Sequence, residues 1–130
     1  MDKMNYDLAG QVIGLAMKVH SRLGPGFLES VYQNALLYEL RKAGFDVETE
    51  VRLKVKYEEI IVGEFEADMI VSKILLIENK AMLSLAVAHE VQLVNYLVTT
   101  GIDEGLLLNF GAARLEFKKK FRQHRPSSED

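Results

Sequence analysis

Two carboxylates and a lysine lie where their spacing could support chemistry. Asp68 belongs to an apolar run over residues 65–71, and a second apolar run over residues 74–77 ends in Glu78 and Lys80. Both runs have the length and the Ile, Val and Leu content of strands, and the short break between them predicts a hairpin. Charges at the end of a buried strand are costly unless they are paired or bind something. Because Glu78 and Lys80 are two residues apart, a strand places both on one face.

The length of the hairpin connection decides whether Asp68 joins that face. A two-residue loop at Ser72 and Lys73 pairs Asp68 with Ile77 and directs it away from Glu78. A three-residue loop, or a bulge, pairs Asp68 with Glu78 instead. The functional hypothesis therefore requires the odd-length connection. Two acids and a lysine would then converge at one edge of a sheet, with oxygen ligands suited to a divalent cation.

A Glu-x-Lys pair alone carries little information, since Glu116 and Lys118 form another one without special context. A buried structural ion pair would produce the same pattern as a metal site. In that case Asp68→Asn should destabilise the fold by roughly 3–5 kcal/mol, as breaking a buried pair does. From the residues alone, both interpretations stay open.

The composition limits the class of protein. A chain of 130 residues fits one domain, and its 48% apolar content suffices for an ordinary core. It has no cysteine, which excludes disulfides and thiolate zinc sites, and its three histidines are scattered. The acidic N-terminus does not resemble a signal peptide, and no apolar run would span a bilayer. We expect a cytoplasmic protein without membrane contact. With a net charge of −3, nucleic-acid binding would need a local basic patch.

Helical periodicity predicts two helices before the strands. Asn5 or Asp7 would cap the first, which stops at the Gly-Pro-Gly segment 24–26. The second runs from about residue 27 to residue 43 and has Glu29 in its first turn. A carboxylate suits the positive end of a helix dipole, which explains Glu29 without any function.

The strict alternation over residues 45–57 predicts a half-exposed strand, or a strand bent in the middle. Glu58 and Glu59 form a turn, and Gly63 marks a possible bulge before the central hairpin. Further strands are predicted at 104–110 and 114–121.

A third helix is predicted from a cap at Ser84 to Gly101. Its apolar stripe consists of Val87, Val91, Val94 and Val98, and Leu93 and Leu97 widen it. Roughly opposite lies a polar stripe of His89, Gln92 and Tyr96. Such a stripe is usually the solvent-exposed face, but its hydrogen-bonding side chains also suit a site.

Positive charge is concentrated near the C-terminus. The residues concerned are Arg114, Lys118, Lys119, Lys120, Arg122 and Arg125. They indicate either a lysine-protected edge strand or a patch that contacts phosphates, for which Lys118, Lys119, Lys120 and Arg122 are the candidates. We expect residues 122–130 to be a polar, disordered tail and residues 1–121 to form a single domain.

Several blocks of the chain resemble the GxxExxY protein family of the PD-(D/E)XK nuclease superfamily. The name-giving pattern is present as Gly26, Glu29 and Tyr32. The other blocks are Leu23-Gly24-Pro25-Gly26, Gly63-Glu64-Phe65-Glu66-Ala67-Asp68, Ile77-Glu78-Asn79-Lys80-Ala81, the segment 89–97 and Leu108-Asn109-Phe110-Gly111. The blocks follow one another in the same order as in the family, and the resemblance covers residues 7–121.

The resemblance implies an α/β fold with a restriction-endonuclease-like core, in which helices flank a mixed central β-sheet in the order α-α-β-β-β-α-β-β. It implies that Asp68 and Glu78 hold Mg²⁺ or Mn²⁺, with Glu29 as a further ligand. Lys80 would orient the attacking water or bind the transition state, and Gln92 would position the lysine or the phosphate. The family usually has leucine where this chain has Asn79, on a face expected to point away from the site.

The implied activity is metal-dependent hydrolysis of phosphodiester bonds in nucleic acid, with DNA favoured over RNA and a homodimer possible. The alternative is a non-catalytic module that retains the fold and binds nucleic acid or protein. The slight negative charge favours this alternative.

Overall fold

The computed structural model describes residues 7–122. Helices α1, α2 and α3 span Leu8–Leu23, Glu29–Lys42 and Val87–Thr100. Strands β1 to β5 span Val47–Tyr57, Ile60–Val71, Leu75–Lys80, Glu104–Asn109 and Glu116–Phe121. This order confirms the predicted one. Asn5, and all of the predicted tail except Arg122, lie outside the described residues. No helix within 7–122 is long and apolar enough to cross a membrane.

The five strands form one sheet in the order β1-β2-β3-β4-β5. The central pair β3–β4 is parallel and every other pair is antiparallel, which confirms the predicted mixed sheet. Parallel neighbours need a crossover connection, and α3 provides it. Both central strands are almost entirely buried, because helices cover both faces of the sheet there.

Two apolar cores lie on opposite faces of the sheet. Helices α1 and α2 pack on one face, where Leu75 and Ile77 contribute, and α3 packs on the other, where Leu76 contributes. Because side chains alternate along a strand, Glu78 and Lys80 lie on the same face of β3 as Leu76. The site predicted from the sequence therefore lies on the α3 side.

Strand β1 bends at Glu50, which has a positive φ of 50°. Val47, before the bend, packs in the α1–α2 core, whereas Leu53, beyond it, packs in the α3 core. The two residues are an even number apart, so a straight strand would place them on one face. The bend predicted from the sequence is confirmed, and Glu50 lies opposite Asp68 between two paired positions of β2.

Beyond this bend the β1–β2 hairpin extends past β3 as a two-stranded hairpin arm, residues 51–67. β3 pairs with β2 only from Met69 to Val71. The register of the arm shifts between Val55 and Lys56, opposite Gly63, where the sequence indicated a bulge.

Two predictions for α3 are wrong. The helix begins at Val87 with Ala86 at the N-cap, and His89 Nδ1 accepts a hydrogen bond of 3.0 Å from the Ala86 N–H, so Ser84 is not the cap. Leu93 and Leu97 of the apolar stripe are buried, but its valines are mostly exposed, and Tyr96 of the polar stripe completes the buried face. The reason is Gly105 in β4, whose missing side chain leaves room for Leu93 and Leu97 to approach the sheet.

Candidate active site

The hairpin connection that the functional hypothesis required is present. Three residues, Ser72 to Ile74, join β2 to β3, and the ladder runs from Val71–Leu75 to Met69–Ile77. One step further along this register, Asp68 lies opposite Glu78. The structure thus brings the aspartate to the face that carries the glutamate and the lysine.

Beyond Met69 and Ile77 the two strands diverge. Hydrogen bonds to the side-chain carboxylates there take the place of the backbone ladder. The Asp68 N–H donates to Glu78 Oε2 at 3.0 Å, and the Asn79 N–H donates to Asp68 Oδ2 at 2.7 Å. Each carboxylate therefore accepts a hydrogen bond from the backbone of the other strand. These two bonds hold the carboxyl groups in place beside each other.

The local electrostatics oppose two negative charges at this position. Burial, and secondly the charge of Asp68, raise the pKa of the Glu78 carboxyl to about 8. Burial likewise raises the pKa of Asp68, although the hydrogen bond from Asn79 counteracts this rise. The positive charge of Lys80 lowers the pKa of both groups. At neutral pH the pair therefore retains a proton unless a cation replaces it.

Glu29 is the first residue of α2 and follows a turn that Tyr32 holds in place. The Tyr32 hydroxyl donates to the Gly24 carbonyl at 2.5 Å and accepts from the Phe27 N–H at 3.1 Å. Its ring stacks on Phe110, with centroids 4.9 Å apart. In the Gly-x-x-Glu-x-x-Tyr pattern, the tyrosine thus builds the turn that presents the glutamate.

The negative charge of Glu29 further raises the pKa of both Asp68 and Glu78, although the Glu29 side chain is exposed. Within residues 7–122, no three His, Cys, Asp or Glu side chains come close enough together to hold one metal ion. Mg²⁺ needs only one or two protein carboxylates, because it keeps several waters. The donor set of Asp68 and Glu78 therefore fits such an ion, and Glu29 as a further ligand stays a prediction.

Tyr96 lies on helix α3, in the polar stripe that the sequence assigned either to the solvent-exposed face or to a site. Its side chain is only 7% exposed, and burial, followed by the charges of Glu78 and Asp68, raises its pKa. Tyr96 packs in the α3 core with Ala67, which precedes Asp68, and with Leu76, two residues before Glu78. Gln92, one turn earlier, is exposed and lines a groove together with Tyr96. Their spacing of four residues was the signal available in the sequence.

Asn79 lies between Glu78 and Lys80 but points to the opposite side of β3. It is 1% exposed, and its Nδ2 lies 3.5 Å from Gln33 Oε1 on α2. Its Oδ1 has no hydrogen-bond partner among the described residues. The expected orientation away from the site agrees with this contact.

Asn109 fixes the chain just beyond Lys80, a role the sequence did not reveal. Its Oδ1 accepts from the Met82 N–H at 2.9 Å and from the Gly111 N–H at 3.1 Å. Its Nδ2 donates to the Met82 carbonyl and to Glu116, both at 2.9 Å. A Cβ on Gly111 would lie 2.3 Å from the Met82 nitrogen. The end of β4 thus clamps the segment that follows the lysine.

The four nucleic-acid candidates lie on the edge strand β5 or directly after it, and Arg114 precedes this strand. Three of the four nucleic-acid candidates pair with acids of this chain, namely Lys119 with Glu104, Lys120 with Glu90 and Arg122 with Asp103. Lys118 is exposed. Arg125 lies outside the described residues. Phosphate contact by this strand stays a prediction.

Comparison with known proteins places this geometry in a family. The sequence profile of the PD-(D/E)XK nuclease superfamily matches residues 6–121. No curated protein matches the chain. Among solved structures, the crystal structure of SSO0001 is similar, with a TM-score of 0.60 and 21% identity over 76% of this chain. The aligned region spans 52% of that longer chain. At 21% identity, this similarity is evidence for a shared fold alone. From the profile match over nearly its whole length, we conclude that this chain belongs to the PD-(D/E)XK nuclease superfamily.

Proposed function

We propose that this protein is a nuclease that hydrolyses phosphodiester bonds with the help of Mg²⁺ or Mn²⁺. One observation carries the proposal: Asp68 and Glu78 meet at the point where β2 and β3 part, with Lys80 on the same face. Buried carboxylates with raised pKa are typical of sites where a cation or a proton is required. Membership of the superfamily supports this interpretation.

A bound divalent cation would supply Lewis acidity and activate the attacking water. The chain's own contribution is to hold Asp68 and Glu78 in place through the backbone N–H groups of the facing strands. The Lys80 ammonium would orient the water or stabilise the charge that develops on the phosphate. Gln92 would position the lysine or the phosphate, and Glu29 would bind a water or a second cation.

The finer assignments belong to the same proposal. The Gly26, Glu29 and Tyr32 pattern supports the GxxExxY branch of the superfamily, and residues 1–121 would form its single domain. We propose nucleic acid as the partner, with DNA favoured over RNA, and a cytoplasmic location. A homodimer would provide the contact surface that so small a domain lacks.

A nuclease assay in Mg²⁺ or Mn²⁺ tests this function on single-stranded, duplex and branched DNA and on RNA. Lys80→Ala should abolish cleavage, because it removes the only cation on the Glu78 face of β3. Lys73→Ala is the matched control, since Lys73 lies in the exposed β2–β3 turn and pairs with Glu48 at 3.7 Å. Cleavage that survives in Lys80→Ala would show that another site, or a contaminant, is responsible.

The alternative, a non-catalytic binding module, is favoured by the negative net charge and by the pairing of the basic residues within the chain. Titration calorimetry with Mg²⁺ and Mn²⁺ separates the two functions. Absence of binding, together with full stability of Asp68→Ala, would support the module.

A further inference from the structure

A groove of about 460 Å³ lies between the hairpin arm and α3. Its lining includes Val55 and Phe65 from the arm and Val91, Gln92, Asn95 and Tyr96 from the helix. Tyr96 also packs in the α3 core with Ala67, which precedes Asp68 in β2, and with Leu76, which lies two residues before Glu78 on the same face of β3. The groove therefore adjoins the part of the sheet that carries the candidate active site.

The lining of this groove suits a neutral, flat group with hydrogen-bonding edges. No Asp, Glu, Lys or Arg side chain lines it, so a phosphate or a charged side chain would find no counter-ion there. Aliphatic and aromatic side chains provide apolar surface, and the amides of Gln92 and Asn95 provide donors and acceptors. Neither amide forms a side-chain hydrogen bond within the described part of the chain. A nucleobase has this combination of properties.

Phe65 is the aromatic side chain best placed to contact such a base. It lies on the part of β2 that extends beyond β3, and it is 42% exposed. Its ring contacts that of Tyr96, with centroids 5.6 Å apart and an angle of 44° between the planes. An exposed ring next to a phosphodiester site offers a stacking surface that tolerates any base.

We infer that this groove binds an unpaired nucleobase of the strand whose phosphate lies at Asp68 and Glu78. The inference rests on the nuclease function proposed above and specifies its substrate class. In a duplex, both faces of a base are stacked and its edge is paired, so the groove accepts a base only from a single strand, an end or a flipped position. The substrate is therefore nucleic acid with unpaired nucleotides.

A second copy of this chain is the competing occupant, because Val87, Val91 and Val98 expose apolar surface along α3. The nucleobase is favoured for two reasons. The groove adjoins the strand positions that carry Asp68 and Glu78, and its amide groups match base edges rather than an apolar protein surface.

The test is binding of fluorescent oligonucleotides, measured by anisotropy in EDTA and again in Ca²⁺, so that no cleavage is needed. Three probes of equal length are compared: a single strand, the same strand with abasic sites, and its duplex. Phe65→Leu keeps an apolar side chain but removes the ring, and Tyr38→Leu, on exposed α2 surface, is the matched control. Asn95→Ala, at an exposed position, provides a second variant that does not depend on the arm.

We expect Phe65→Leu to weaken binding of the normal single strand about 5- to 150-fold, as loss of base stacking does. Binding of the abasic strand should change little, and Tyr38→Leu should behave like the wild type. Asn95→Ala should weaken only the base-dependent part of binding. This base dependence would persist in EDTA even if the protein proved unable to cleave, so the two proposals fail separately.

Equal affinity for the normal and abasic strands, or for single strand and duplex, would overturn the inference. Sedimentation provides the other contrary outcome. If the wild type is a dimer that Phe65→Leu dissociates without altering base preference, the groove is an interface between copies.

Discussion

Replacing Glu78 by glutamine should stabilise the metal-free protein at neutral and alkaline pH. The substitution removes an ionisable group that is only 6% exposed, but it retains an oxygen that can accept from the Asp68 N–H. The fold therefore keeps its hydrogen bond and loses the cost of burying a negative charge beside Asp68. Improved stability is the opposite of what most buried substitutions cause.

The size of the effect follows from the pKa of Glu78, which is raised from 4.5 to about 8 in the folded chain. Between these values the folded chain binds a proton that the unfolded chain has released, so stability falls as pH rises. At 1.36 kcal/mol per pKa unit, the wild type loses roughly 3 kcal/mol by pH 7 and roughly 5 kcal/mol above pH 8. Glu78→Gln should avoid this loss, and the two proteins should converge near pH 4.5.

Urea unfolding in EDTA across this pH range measures the difference. Glu59→Gln, in the exposed turn between β1 and β2, is the control and should follow the wild type. Mg²⁺ at a concentration of about 100 times its dissociation constant should raise the free energy of unfolding of the wild type by about 2.7 kcal/mol. The increase for Glu78→Gln should be much smaller. If Glu78→Gln is less stable than the wild type at pH 8, or if their difference does not depend on pH, the electrostatic reasoning is wrong.

The remaining predictions concern the scaffold and are checked by the same unfolding measurement. Tyr32→Phe should cost about 1–2 kcal/mol, because it removes both hydrogen bonds of the hydroxyl but keeps the stacked ring; an unchanged midpoint would contradict this role. Gly111→Ala should destabilise strongly, since its Cβ would collide with the Met82 backbone, whereas Gly14→Ala, in open space on α1, should stabilise by about 0.5–1 kcal/mol. Equal effects of the two alanines would refute the close approach. Asn79→Leu should stabilise by about 1–2 kcal/mol by removing a buried acceptor without a partner; a loss of stability would indicate that a bound water satisfies it.

The register of the central hairpin could be predicted from the sequence because it depends only on residues close together in the chain. A period of two residues places Glu78 and Lys80 on one face, and the loop length determines whether Asp68 joins them. These rules need no knowledge of distant residues. The structure confirms the register, and with it the meeting of the two carboxylates.

The features that the sequence did not reveal depend on distant contacts. The buried face of α3 is determined by Gly105, which follows the helix and lets Leu93 and Leu97 approach. Periodicity alone placed Leu93 and Leu97 in one stripe with the valines and could not show which of these side chains face the sheet. Likewise, the stacking of Tyr32 on Phe110 joins residues far apart in the chain. Such contacts arise only when the chain is folded, so spacing along the sequence carries no trace of them.

The hairpin arm also has a consequence for solubility. Its β1 side is the edge of the sheet, and its β2 side has no ladder partner beyond Met69 among residues 7–122. Two open edges invite pairing with other chains and hence aggregation. The charged side chains of Arg52, Lys54 and Lys56, together with the neighbouring bulge, oppose such pairing on one side. On the other side, the exposed carboxylates of Glu64 and Glu66 have the same effect, so the arm extends beyond the rest of the sheet without offering an uncharged edge to other chains.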